Sequence, residues 1–229
     1  IFSGECTAKK INHYGEEARK KGAEVVIGVG GGKAIDTAKG VAFKSNCAAV
    51  IIPTIASTDA PTSSFSVVYT EEGAVEDLWV YPTNPFMVVV DTEVIARSPV
   101  RTLVSGMGDA LATYYEARTC RENGRATTIA GERPTDLAFA IATLCRETLF
   151  EYGLEAKRSI EARVVTPALE KVVEANVLLS GLGFESGGLS GAHGTIEGLT
   201  VLHDDPKYNI STLHGEEVAF GTIVLLVIE

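Results

Sequence analysis

The stretch Glu24-Val25-Val26-Ile27-Gly28-Val29-Gly30-Gly31-Gly32-Lys33-Ala34-Ile35-Asp36-Thr37-Ala38-Lys39 joins a β-branched run to a glycine cluster and then to a helical pattern. It predicts a buried strand over 24–29 and a helix over 33–44, and a second apolar strand follows from Ala48 to Pro53. Strand, helix and strand in that order predict a parallel pair joined by a crossover. The turn at Gly28 to Lys33 sets backbone N–H groups and the positive end of a helix dipole where a phosphate could approach, and glycine permits close contact. Alone it is not specific. Ala34 stands where a P-loop needs Ser or Thr, Lys33 replaces the third glycine of GxGxxG, and no acidic residue ends the next strand. A tight turn without a ligand fits the same residues. Thr54, Ser57, Thr58, Asp59, Thr62, Ser63 and Ser64 add weight, because open α/β sheets bind ligands in the loops after their strands.

Outward from this core, a helix is expected from about Ala8 to Lys21. A hairpin of Phe65 to Tyr69 with Asp77 to Tyr81 is expected around Glu71-Glu72-Gly73, then a last strand from Met87 to Val90. From Pro99 the period turns helical, with helices expected at about 99–120, 134–152, 155–163, 166–182, 187–201 and 215–228. The reading is an α/β part with a mainly parallel, Rossmann-like sheet over 1–98, then an all-helical domain over 99–229. Such a pairing creates a cleft, the usual place for cofactor and substrate to meet.

A chain of 229 residues with 45% hydrophobic residues can build a sizeable core. A net charge of -10 argues against nucleic acid and anionic membrane surfaces as partners. Cys6, Cys47, Cys120 and Cys145 form no CxxC pair and read as buried thiols in a reducing, cytoplasmic setting. No apolar run reaches the roughly 20 residues of a membrane span. The chain opens on Ile1 and stops at Glu229 inside an expected helix, so it reads as a segment of a longer protein.

Candidate chemistry centres on Asp109, His193 and His214, a carboxylate and two imidazoles of the kind that bind catalytic zinc and leave a fourth position open. With the glycine turn upstream they suggest metal-assisted hydride chemistry. Each has a plainer reading: a capping or salt-bridged aspartate, a packed histidine among glycines, and a helix-entry histidine before Gly215-Glu216-Glu217. The three are distant in sequence, so spacing alone does not join them. His13 and His203 read as surface histidines. No Lys or Arg occurs from Ile52 to Glu76, and only Lys207 from Glu174 to Thr222, which disfavours an anionic substrate.

Five segments, residues 30–39, 53–63, 106–113, 183–189 and 214–222, closely resemble the glycerol dehydrogenase family of iron- and zinc-dependent polyol dehydrogenases. The resemblance runs through essentially the whole chain. It implies a dehydroquinate synthase-like architecture and NAD-linked oxidation of glycerol and similar vicinal diols to a ketone such as dihydroxyacetone. It implies metal ligation, and hence catalysis and substrate contact, by Asp109, His193 and His214, with one zinc per subunit. It places Gly32, Lys33 and Asp36 at the cofactor pyrophosphate, Thr54, Ser57, Ser63, Phe65 and Tyr69 along the nicotinamide half, and Asp59 at the substrate hydroxyls. Thr113 stands where iron-dependent relatives carry a histidine, which favours three-ligand zinc. The family also implies a homo-oligomer. Rival readings are glycerol-1-phosphate dehydrogenase, dehydroquinate synthase, or a catalytically silent nucleotide-binding scaffold.

Overall fold

The computed structural model describes residues 2–203 and 211–229, the side chains of 200–203 excepted; His203 as a surface residue therefore lies outside what is described. The chain divides into two compact units, Ile1–Ile55 with Ala60–Ile95, and Ala56–Asp59 with Ala96–Glu229.

In the first unit, α1 (Ala8–Lys20) leads to β1 (Val25–Gly30), α2 (Gly32–Ser45) and β2 (Ala48–Pro53). β1 and β2 are parallel in register from Val25↔Ala48 to Gly30↔Pro53, and β5 (Met87–Val88) joins β2 in parallel. α2 covers one face of this sheet: Ile35 and Ala38 pack on Ile51, with Val26 and Val88 at the margin. Gly30 has φ +149°, a conformation costly for any side chain, so the strand-to-helix turn itself requires glycine at that position. The expected hairpin forms from β3 (Phe65–Tyr69) and β4 (Val75–Val80), antiparallel with an irregularity at Val68/Tyr69. A short helix, α3 (Thr92–Ala96), follows.

Beneath the hairpin lies a buried lysine. Lys39, on α2, ion-pairs with Asp36 at 2.9 Å and donates to the Ala60 carbonyl at 2.9 Å, to Ser63 and to the Phe65 carbonyl. Asp36 also accepts from the Val67 N–H at 3.1 Å. One charge pair thus ties the loop 60–65 and the edge of β3 to α2.

The second unit is helical: α4 (Val100–Asn123), α5 (Asp136–Glu161), α6 (Pro167–Glu174), a π-helical stretch Ala175–Leu179, α7 (Ser180–Gly187), α8 (Gly191–His203) and α9 (His214–Ile228). One expected break, near 153–154, does not occur, and a second, expected at 183–186, falls instead at 188–190. Asp136–Glu161 form the single helix α5, because Gly153 serves packing rather than termination: a Cβ there would lie 3.2 Å from Met107 Sδ. Residues 167–187 run continuously through the π stretch. Helix starts follow capping chemistry: Thr135 and Thr166 accept from the N–H groups of Ala138 and Leu169 at 3.2 Å each. No helix among the described residues is long and apolar enough to cross a membrane. The four cysteines are free, and Cys47 is only partly buried, unlike the other three.

Candidate metal centre

Among the buried residues of α4, Asp109, Thr113, Glu116 and Cys120 recur at steps of four, three and four and so share one face. Asp109 and Glu116 are therefore two turns apart on the same side. α9 comes unusually close to this face. A Cβ on Gly215 would lie 1.8 Å from the Ser105 carbonyl oxygen, so only glycine lets the start of α9 seat here. That seating puts His214, the first residue of α9, over Asp109. From outside, Arg101 bonds Glu216 at 2.6 and 2.7 Å, and Glu216 accepts from the Leu213 N–H at 2.9 Å, clamping the same helix start.

Asp109, His193 and His214 converge, with one ligand atom of each within 4.8 Å of the others. His214 Nε2 lies 3.4 Å and His193 Nε2 3.8 Å from Asp109 Oδ1. Side-chain exposure rises from 2% at Asp109 through 24% at His193 to 48% at His214, so the cluster has a closed back and an open front. Both Asp109 oxygens are buried and neither makes a well-formed hydrogen bond, the nearest ring nitrogens standing off at 3.4 and 3.8 Å. A buried carboxylate left so is costly, and a cation between the three groups would remove that cost. The donor set fits a divalent ion with three protein ligands.

The charges agree. Burial opposes ionisation of Asp109, but His214 and His193 outweigh it and hold the carboxyl below its ordinary value. Burial also disfavours a charged His193, yet Glu116, Asp109 and Asp59 push the ring up to about 9. His214 is raised against burial, chiefly by Asp109. Burial and the neighbouring Asp109 raise Asp59 to about 7.

Three polar residues around the cluster escaped the sequence reading. Glu116 is fully buried and receives His193 Nδ1 at 2.6 Å; its signal was the seven-residue step from Asp109. Ser180 donates to Asp59 Oδ2 at 2.7 Å and contacts Thr113 Oγ1 at 2.9 Å. Asn176, in the π stretch, donates to the Ala56 carbonyl at 2.9 Å and the Leu103 carbonyl at 3.3 Å, tethering 56–59 to α4. π insertions recur at functional sites because they turn one side chain out of helical register. No sequence pattern marks that turn.

The remaining sequence candidates lie in different settings. Gly32 opens α2 beside the N-cap Gly31, with the first-turn N–H groups at the helix end. Lys33 is exposed and pairs with Glu5 at 2.6 Å. Asp36 turns inward to Lys39, and Ser63, fully buried, accepts from the same lysine at 3.2 Å; both shape the loop from within. Thr54 bonds through its N–H to the Gly30 carbonyl at 3.0 Å. Phe65 and Tyr69 are half-buried on β3, and Ser57 belongs with Asp59 to the helical unit.

Comparison with known proteins follows the same lines. Residues 1–92 match the family model described as iron-containing alcohol dehydrogenase. The chain is 53% identical to a glycerol dehydrogenase of Thermotoga maritima over 226 residues, 99% of this chain and 60% of that protein. It is 48% identical to a glycolaldehyde reductase of Halobacterium salinarum over 229 residues, 100% of this chain and 61% of that protein. The crystal structure of a probable glycerol dehydrogenase from Sinorhizobium meliloti superposes with a TM-score of 0.91 at 46% identity, covering 99% of this chain and 62% of that one. The chain thus spans about 60% of the length of the curated relatives it matches. Along essentially its whole length the chain is similar to the glycerol dehydrogenases, and its first 92 residues match the iron-containing alcohol dehydrogenase model.

Proposed function

We propose that the protein is a zinc- and NAD-dependent dehydrogenase of small neutral polyols, oxidising the secondary alcohol of glycerol to the ketone of dihydroxyacetone. The observation that carries this reading is the convergence of Asp109, His193 and His214 around two buried, otherwise unsatisfied carboxylate oxygens. Bound there, zinc would supply Lewis acidity that lowers the pKa of the C2 hydroxyl, while NAD would accept the hydride. Zinc rather than iron is favoured because Thr113, four residues after Asp109, spends its hydroxyl on Ser180 at 2.9 Å, leaving three protein donors.

The chain's own residues supply position. Asp59, held by Ser180 and by the Asn176 tether, orients the substrate's hydroxyls. The first unit is proposed to carry the cofactor, with the pyrophosphate at Gly32 and the opening turn of α2, and Lys33 adding charge once released from Glu5. Thr54, Ser57, Phe65 and Tyr69 are assigned to the nicotinamide side; Asp36 and Ser63 act by shaping their loop. The dearth of Lys and Arg in residues 52–76 and 174–222 favours a neutral substrate over those of glycerol-1-phosphate dehydrogenase or dehydroquinate synthase. A second reading, reduction of a small hydroxyaldehyde, draws on the Halobacterium relative. Four free cysteines suit a reducing cytoplasm, and exposed apolar side chains on α5 suit a homo-oligomer.

The test is metal analysis paired with NAD-linked glycerol oxidation before and after chelation, in wild type and His214→Ala. About one zinc per chain, with chelator-sensitive turnover lost in the variant, supports the proposal. Nucleotide binding without metal or turnover would replace it with a silent scaffold. A higher kcat/KM for glycolaldehyde than for glycerol would select the second reading.

A further inference from the structure

We infer that Glu116 is a positioning residue of the metal centre: it fixes His193 as the Nδ1–H tautomer, so that the Nε2 lone pair is presented beside Asp109 and His214. The inference rests on the metal-binding reading above and deepens it.

Glu116 is fully buried in α4, and three donors meet its two oxygens. Oε1 receives the backbone N–H groups of Ser190 at 2.8 Å and His193 at 3.0 Å. Oε2 receives His193 Nδ1 at 2.6 Å. The two backbone donors keep their protons, so they set the carboxylate's orientation and leave Oε2 for the ring. An acceptor at Nδ1 requires the ring proton there, which makes Nε2 the free lone pair of the neutral imidazole. Nε2 is the atom 3.8 Å from Asp109 Oδ1. Metal-bound histidines commonly have their second nitrogen held by a carboxylate in this way.

A plainer role is available: the backbone contacts alone cap the start of α8. Different oxygens do the two jobs, so the roles separate. In Glu116→Gln the amide oxygen must stay with the two backbone N–H groups, because an NH₂ there would face two donors. The NH₂ is then turned to Nδ1, which must become an acceptor, and the ring proton moves to Nε2, where it blocks a metal. A cap-only role is indifferent to this exchange.

The experiment has two arms. Zinc affinity of wild type and E116Q is measured by competition with a chromophoric chelator. Histidine ¹H–¹⁵N correlation spectra of the metal-stripped proteins, recorded with the His193 ring neutral, report its tautomer. The expected result is Nδ1–H in wild type, Nε2–H in E116Q with its circular dichroism retained, and a loss of zinc affinity of about 10- to 100-fold. Wild-type affinity in E116Q would overturn the inference. So would an Nε2–H tautomer in wild type, which decides the matter even if the variant does not fold. An Nδ1–H wild type that takes up no zinc would support the tautomer assignment and overturn the metal-binding reading, so the two failures are distinguishable.

Discussion

His193 carries its proton higher than an ordinary histidine because Glu116 and Asp109 outweigh burial, and this sets how the site takes up metal. In the metal-free protein the ring is doubly protonated up to about pH 9, and a cation must displace one of those protons. Zinc affinity is therefore expected to climb through neutral pH, by about tenfold per unit for one displaced proton, and to level off above the His193 transition. Chelator competition across that range checks this; a flat profile would contradict it. The sign for folding is opposite. With a folded pKa raised from 6.5 to about 9, His193 favours the metal-free fold below 6.5, and that favour is lost as pH rises through about 9. Lys39 makes a separate prediction in the first unit. Its side chain is 3% exposed and that of its partner Asp36 is 10% exposed, so Lys39→Met strands a carboxylate in the core. The expected loss is about 3–5 kcal/mol in urea unfolding, partly recovered by adding Asp36→Asn.

Between α4 and α9 two kinds of contact compete to explain how the helices seat, and magnitudes separate them. The Arg101–Glu216 pair lies at the surface, with Arg101 53% exposed, so solvent screens it and Arg101→Ala is expected to change thermal unfolding little. Gly215 is different, since a methyl 1.8 Å from the Ser105 carbonyl forces backbone to move. Gly215→Ala is expected to cost about 1–3 kcal/mol or more in thermal unfolding and to weaken zinc binding, because His214 moves with the helix start. Full zinc affinity in that variant would show that the helix seating does not place the ligand. The helical pattern located both elements, while the depth of their contact rested on a single missing Cβ.

For the whole molecule, zinc held as proposed by Asp109, His193 and His214 would need α4, α8 and α9 assembled, and so would add to stability by mass action. Free zinc at about 100 times Kd should add about 2.7 kcal/mol and raise the unfolding temperature, with the new hydrogen-exchange protection confined to those three helices. Identical melting with zinc and with chelator would refute this. Leu137, Phe150 and Leu154 on α5 are 71%, 70% and 78% exposed, more apolar surface than one helix usually shows water. Sedimentation at micromolar concentration is expected to show self-association that Phe150→Glu weakens.

Local signals were legible in the sequence: the strand–glycine–helix turn at residues 24–39, the switch to helical period after Pro99, and Asp109, His193 and His214 as candidate ligands. These depend on backbone sterics, hydrophobic period and donor chemistry, which act over a few residues and so leave a pattern in the chain. Resemblance to a family joined the three candidate ligands, which spacing could not. Only the tertiary structure brought Glu116 to His193, turned Asp36 and Ser63 inward to Lys39, kept α5 whole through Gly153, and tied Ala56–Asp59 to α4 through Asn176. Each of these depends on which buried polar group finds a partner across elements far apart in sequence, and that pairing is settled only when the helices pack.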